Sequence, residues 1–268
     1  MTPPLRPYWQ LPPGITRGMW DYIHSNPIAD DYDAYFAYNR LFQFDEQVVL
    51  CELQTRGVGP GKLVADLGCG TGRILVALCR MGLRGLAVDL SEPMLAVVRS
   101  KACKDNLPID GIRANLVQLD MIRDGSVDAA VSMFSTLGMI RGRENRRQAL
   151  RHAWRMLRPG APFIIHVHNY WYNLYDPGGP WWVLGTTLRA AFVRDIEAGD
   201  KFFDYRGVPK MFLHVFTKGE LCNELRIAGF HLRRLIPLDP RRHRALRWPW
   251  LFGRLRANGW IAVCEKAE

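Results

Sequence analysis

The segment VADLGCGTGR, Val64 to Arg73, constrains this chain more than any other. The apolar run KLVADL leads into it and the amphipathic run TGRILVALCRMG leads out, so it reads as the turn between a strand and a helix. Gly68, Gly70 and Gly72 stand at alternate positions, where the missing Cβ lets the backbone turn tightly and approach a bound group. The spacing G-x-G-x-G departs from the dinucleotide fingerprint G-x-G-x-x-G, because Arg73 stands where the third glycine belongs. Asp66, two residues before the first glycine, puts a carboxylate beside the loop. That charge suits a cationic ligand bearing an amino-acid group and repels a pyrophosphate.

Around this turn the chain alternates short apolar runs with helical spacing, the pattern of βα units and a parallel sheet. After KLVADL, residues Ile74, Leu75, Leu78 and Cys79 give one helical face that ends near Gly82. GLAVDL reads as the second strand. Ser91 then caps a helix through about Cys103, with Glu92 and Pro93 in its first turn. NLVQLD reads as the third strand and SVDAAVSMF as the fourth. A helix from about Glu144 to Leu157 stops at Pro159 and Gly160, and APFIIHVH suits a strand buried on both faces. The run WYNLYDPGGPWW opens an aromatic-rich insertion at about 169–213, too apolar for a linker and too interrupted for one helix. Thr217 caps a further helix through Ala228, and HLRRLI and WIAVCEK supply two last strands. Residues 1–58 read as an N-terminal extension whose segment ADDYDAYFAYNRLFQFDEQVVL forms a helix, and 59–268 as the main domain.

At 268 residues and 48% hydrophobic composition the chain can bury a full core in one main domain. Six cysteines without a C-x-x-C pair or clustered histidines point to neither zinc nor a disulfide framework, and no metal is expected. No apolar run reaches the roughly 20 residues that span a bilayer, and the prolines of MTPPLRPYWQLPPG stand where a signal peptide needs an apolar run. A cytoplasmic protein is expected. The net charge of +10 sits in two segments: Arg141 to Arg158 and Arg233 to Arg256 together carry +13, leaving −3 elsewhere.

The glycine segment resembles the first motif of class I S-adenosylmethionine-dependent methyltransferases, and the resemblance runs from about Lys62 to Tyr170. It implies a Rossmann-like α/β fold: a doubly wound, mostly parallel seven-stranded sheet, with an N-terminal lid helix and the aromatic-rich insertion added. The implied cofactor is S-adenosyl-L-methionine, surrounded by Asp66, Gly68, Cys69, Gly70, Gly72, Leu90, Met94 and Phe134. Asp89 ends the second strand, where the family places an acid that accepts the ribose hydroxyls. Asp120 and Met121 follow NLVQLD, where the family uses an acid and the next backbone N–H to read the adenine amino edge. RMLRPGAPFIIHVHNY looks like the family's helix, Pro-Gly turn and fifth strand. Cys69 reads as a passenger, since nothing nearby activates its thiol.

The acceptor is less constrained. MFSTLGMI, Met133 to Ile140, looks like small-molecule N-methyltransferases, and His168-Asn169-Tyr170 resembles glycine N-methyltransferase; FLHVFTKGEL looks like segments of both small-molecule and tRNA wobble-uridine enzymes and does not discriminate. His168 and Tyr170 are therefore the catalytic candidates. An amine need only arrive neutral, whereas a hydroxyl needs a base, for which His166 or His168 would serve. The two histidines share one strand face, so they equally fit packing against a helix. Trp20, Tyr32 and Tyr35 are lid candidates, and Trp171, Tyr172, Trp181 and Trp182 either line an acceptor pocket or pack in the core. RRHRALRWPWLFGRLR, within Arg233 to Arg256, fits an anionic membrane surface or nucleic acid, or else solubilising arginines over buried Trp248, Trp250 and Phe252. The expected activity is methyl transfer to a small-molecule or lipid-like acceptor, amine favoured over hydroxyl. The alternatives are an RNA (tRNA) methyltransferase and a non-catalytic S-adenosylmethionine-binding regulator.

Overall fold

The computed structural model describes residue 7, residues 10–37 and residues 40–267, the side chains of 40–42 excepted. Three helices precede the sheet: α1 (Arg17–Ile23), α2 (Asn26–Phe36) and α3 (Arg40–Thr55). Thr16 caps α1 by accepting from the Met19 N–H, and a proline opens α2. The expected helix over 29–50 thus falls into α2 and α3, and residues 38 and 39 of that segment lie outside the described residues.

The alternating pattern then folds as β1 (Leu63–Leu67), α4 (Arg73–Arg80), β2 (Arg84–Asp89), α5 (Glu92–Asp105), β3 (Ile109–Arg113), β4 (Ala129–Ser132), α6 (Arg143–Met156) and β5 (Pro162–His168). The insertion follows as a 3-10 turn (Tyr170–Tyr175), α7 (Gly179–Phe192) and the hairpin β6 (Asp200–Tyr205) and β7 (Val208–His214). The chain returns to the core through α8 (Lys218–Ile227), β8 (Phe230–Pro237), α9 (Gly253–Arg256) and β9 (Gly259–Lys266). The seven-stranded sheet has the order β3-β2-β1-β4-β5-β9-β8. Its first five strands are parallel, and β9 runs antiparallel between β5 and β8. Helices cover both faces, which is why β4 and β5 are buried almost throughout and read as unbroken apolar runs.

The third strand corrects the sequence reading. IDGIR is the strand, pairing with β2, while NLVQLD turns away from the sheet. As the edge strand, β3 is half exposed and tolerates Asp110 and Gly111, so it lacks an apolar signature. The apolar residues of NLVQLD are spent differently: Val117 and Leu119 pack with Leu150 and Ala153 of α6.

Two contacts place the N-terminal helices over the carboxyl ends of the strands. The Ser91 hydroxyl donates to the Ile23 carbonyl at 2.7 Å, tying α1 to the start of α5. Gly18 lets α1 lie directly on the hairpin: a Cβ there would sit 2.4 Å from the Lys210 carbonyl oxygen. The first basic segment is a structural cross-link, since Arg147 grips Glu224 of α8 at 2.7 and 3.0 Å and the buried Arg146 reaches Glu197 at 2.7 Å.

Candidate active site

Two cavities open at the carboxyl ends of the parallel strands, where ligands of open α/β sheets are bound. The first lies under the glycine loop. Gly68 has φ +81°, and a Cβ on it would stand 2.2 Å from Thr136 Cγ2, so only glycine fits between β1 and the turn after β4. The Gly70 N–H donates to Asp89 Oδ2 at 2.8 Å and the Ser91 N–H to Asp89 Oδ1 at 2.8 Å. Asp89 therefore ties the loop to the N-terminus of α5 and keeps lone pairs for a ligand. Asp66, Gly68, Cys69, Gly70, Asp89, Leu90, Met94 and Phe134 all line this cavity, joined by Tyr22 and Tyr32 of the lid helices. Gly72 does not; it is the left-handed residue that starts α4, packed against Val98.

Burial dominates the electrostatics. It pushes the Asp66 carboxyl up to about 7, with Arg73 pulling down and Asp89 pushing further up. Asp89 is raised for the same reason, restrained by the N–H groups of Ser91, Gly70 and Leu90. Burial also pushes the Cys69 thiol well above its ordinary range, which leaves it protonated. The buried Asp66 and the half-buried Asp89 face one partly buried guanidinium, Arg73, so the cavity is short of positive charge. A cationic ligand with hydroxyls supplies what these groups lack, and the donor set fits S-adenosylmethionine.

Asp120 and Met121 do not reach this cavity. The Asp120 side chain is 85% exposed and Met121 62% exposed, because β3 ends at Arg113 and the intervening turns carry both out to solvent. The polar side chain at that wall is Asn115, whose Oδ1 accepts from the Val117 N–H and whose Nδ2 donates to the Pro13 carbonyl. Reading IDGIR as the strand would have found it. Thr71 was also missed: its hydroxyl donates to Asp33 Oδ1 at 2.7 Å and ties α2 to the loop.

The second cavity, about 390 Å³, adjoins the first and shares Tyr22, Tyr32, Phe134 and Met139 with it. Its other walls are Tyr35 and Phe36 of α2, His168, Arg242, and residues of β6 and β7 including Lys201 and Phe203. Phe134 takes a left-handed backbone, φ +56°, and its ring meets Phe36 edge-on at 5.6 Å. His168 is pushed down to about 3, by burial first and then by Arg242 and Lys201, and stays neutral. His166 turns instead to α3, with Nδ1 3.7 Å from Asp45 Oδ2; burial keeps it neutral and pushes Asp45 up to about 7.

Tyr170 reaches neither cavity. Its hydroxyl bonds the Val183 carbonyl at 3.1 Å and the Thr187 hydroxyl at 2.8 Å, so it pins α7 to the end of β5. Of the lid candidates, Tyr32 and Tyr35 line the second cavity and Trp20 is packed away from it. Trp171, Tyr172, Trp181 and Trp182 lie outside that lining. Trp250 and Phe252 are 79% and 69% exposed, not buried beside the sheet.

Residues 64–160 match the methyltransferase domain family. A putative methyltransferase of Geobacillus sp. (strain WCH70) is 28% identical over 118 residues, 44% of this chain and 47% of that protein. A probable tRNA methyltransferase 9B of Mus musculus is 32% identical over 117 residues, 40% of this chain and 22% of that protein. The chain thus spans less than half the length of these curated relatives. In fold it is similar to a Burkholderia thailandensis 1,6-didemethyltoxoflavin-N1-methyltransferase with bound 1,6-didemethyltoxoflavin and S-adenosylhomocysteine, with a TM-score of 0.60 at 16% identity over 90% of this chain and 85% of that one. Residues 64–160 are thus a methyltransferase domain, and the glycine loop and strand order give the chain the Rossmann-like fold of class I S-adenosylmethionine-dependent methyltransferases.

Proposed function

We propose that this chain methylates a small-molecule or lipid-like acceptor held in the aromatic cavity, with S-adenosylmethionine in the cavity beside it. One observation carries this reading: the two cavities meet along a wall of Tyr22, Tyr32, Phe134 and Met139. Asp66, Gly68, Gly70 and Asp89 would hold the cofactor, with Asn115 in place of Asp120 and Met121 at the far wall. When bound, the cofactor supplies a methyl group on a sulfonium.

The chain's part is positioning and desolvation. The lid helices and the hairpin wall the aromatic cavity and would limit the water around a bound acceptor. His168, held at about 3, is a poor base near neutral pH, so it orients an acceptor and does not ionise it. An amine that arrives neutral needs no base. It is favoured over a hydroxyl on that ground. Tyr170 supports the site from behind, through α7.

The tRNA reading rests on relatives that share only the domain itself, and the roofed cavity suits a small molecule better. The exposed surface around Trp250 and Phe252, flanked by Arg247 and Arg254, would meet an anionic membrane if the acceptor is lipid-like. No described helix is long and apolar enough to cross a membrane. The test is transfer of labelled methyl from S-adenosylmethionine into extract fractionated into small-molecule, lipid and RNA pools. Label in the small-molecule or lipid pool is expected. Label confined to RNA would overturn the reading, and no label from a protein that binds S-adenosylhomocysteine would favour the non-catalytic alternative.

A further inference from the structure

The aromatic cavity has an unbalanced charge. Among the described residues its lining holds two cations, Lys201 and Arg242, and no carboxylate. Lys201 is partly satisfied, since its ammonium donates to Asn173 Oδ1 at 2.8 Å and Asp176 Oδ2 at 2.9 Å. Arg242 is different. Its guanidinium has no hydrogen bond or ion pair with any described residue, although it is withdrawn from solvent enough for burial to lower its pKa.

The loop after β8 explains this isolation. Asp239 is buried and accepts from the His243 N–H, and its carboxylate lies 3.4 Å from the His243 ring and 3.5 Å from Arg244. The Asp239 carbonyl accepts the Arg242 N–H at 2.9 Å, and Arg242 itself takes a left-handed backbone, φ +58°. The turn thus uses its only carboxylate on the neighbours and sends the Arg242 side chain toward the cavity. Asp45 acts on Arg242 from beyond 4 Å, and at a pKa of about 7 it is only half ionised at neutral pH. Other arginines of this segment have partners: Arg233 grips Glu265 and Arg234 reaches Glu52.

A guanidinium partly withdrawn from water without a hydrogen-bonded counter-charge is costly, and a bidentate oxyanion is the partner its fork fits best. Resting on the proposed function, we infer that the acceptor carries a carboxylate or phosphate group that docks on Arg242, with Lys201 as its second contact, and a flat apolar body that stacks among the cavity's rings. The same two cations also disfavour a protonated amine and so help keep an acceptor nitrogen neutral.

The test uses three probes of one shape: 2-naphthoate, 2-naphthyl phosphate and the neutral 2-naphthalenemethanol. Each is titrated calorimetrically into the full chain, with and without saturating S-adenosylhomocysteine. At least one anion should bind tenfold or more tightly than the alcohol, and whichever anion leads identifies the acceptor's group as carboxylate or phosphate. Arg242→Gln should lose at least tenfold in anion affinity, and Lys201→Gln less, while alcohol and S-adenosylhomocysteine affinities stay within twofold. Arg242→Lys should recover part of the loss. The inference is overturned if the alcohol binds as well as both anions, if no probe binds, or if the anion preference survives in Arg242→Gln. Failure of S-adenosylhomocysteine to bind would instead sink the cofactor reading, since the anion preference is read separately in the unloaded protein.

Discussion

The two adjoining cavities are opposite in charge and in construction. The cofactor cavity takes its glycine loop and its carboxylates, the buried Asp66 and the half-buried Asp89, from one βαβ unit, and the N-terminal helices and the turns after β3 and β4 complete its walls. The aromatic cavity, the proposed acceptor site, is assembled from the lid helices, the turn after β4, the end of β5, the hairpin and a C-terminal loop, and among the described residues it carries cations without carboxylates. On the proposed function, charge of one sign beside charge of the other would sort two ligands by chemistry: a cation would enter the first cavity and an anion the second. Each ligand would also be repelled from the wrong side.

The sharpest way to break this contrast is at Asp89. Asp89→Ala removes two charge-assisted hydrogen bonds to the ribose, at roughly 1.5 to 3 kcal/mol each as an upper range. It also frees the Gly70 and Ser91 N–H groups that now donate to the carboxylate. S-adenosylhomocysteine affinity should fall at least tenfold by calorimetry, while 2-naphthoate affinity in the neighbouring cavity changes less than twofold. A folded Asp89→Ala protein that binds S-adenosylhomocysteine as tightly as the parent would show the ribose role to be wrong.

A smaller effect separates the cavities by pH. Burial puts the Asp66 carboxyl at about 7, so in the free protein it is mostly protonated at pH 6 and mostly ionised at pH 8. A cationic ligand favours the ionised form. Affinity for S-adenosylmethionine should therefore rise as pH rises from 6 to 8, by up to about tenfold, with proton release on binding. Asp66→Asn should flatten the profile. Across the wall His168 stays neutral over the same range while Asp45, also at about 7, ionises near Arg242, so 2-naphthoate affinity should fall as that of S-adenosylmethionine rises. An S-adenosylmethionine affinity that falls with rising pH would contradict the placement of Asp66.

How legible each cavity was in the sequence follows from how it is built. Gly68, Gly70 and Gly72 all need positive φ, a requirement that acts residue by residue and shows in the residue type itself. Asp66 and Asp89 sit at strand ends, fixed by the same local pattern. The legible half failed where the local signal failed: the half-exposed edge strand IDGIR has no apolar signature, and the apolar NLVQLD drew the wall residues five positions downstream, from Asn115 to Asp120. The acceptor cavity joins segments far apart in sequence, and nothing local distinguishes Arg242 from Arg241 or Arg244. His168 was found by its resemblance, whereas the neighbouring Tyr170 points its hydroxyl at α7. Trp250 and Phe252 could be read as core or surface, and only the fold puts them outside.

The smallest expected effect concerns the hairpin that roofs the acceptor cavity. His214 ends β7, and its ring is clasped between Asp200 Oδ1 of β6 at 2.8 Å and Glu220 Oε1 of α8 at 2.9 Å. Burial alone would lower its pKa, but the bonds to Asp200 and Glu220 outweigh that, even against the nearby Arg146, and hold it above the ordinary value. A histidine raised in the folded state stabilises it fully below the unfolded value near 6.5, and that contribution is lost as pH climbs through the folded value. The parent should therefore lose thermal stability between pH 6.5 and 9 relative to His214→Gln, by on the order of a degree or two in Tm. Glu197, whose carboxylate lies beside His214 and Glu220, receives Arg146 at 2.7 Å. Alkaline pH thus acts in opposite directions on the two cavities. It ionises Asp66 and tightens the cofactor's hold, and it discharges His214 and loosens the roof over the acceptor. Parallel Tm profiles for the parent and His214→Gln would remove the clasp from that comparison and leave the roof held by the apolar packing of Phe212 and Phe216.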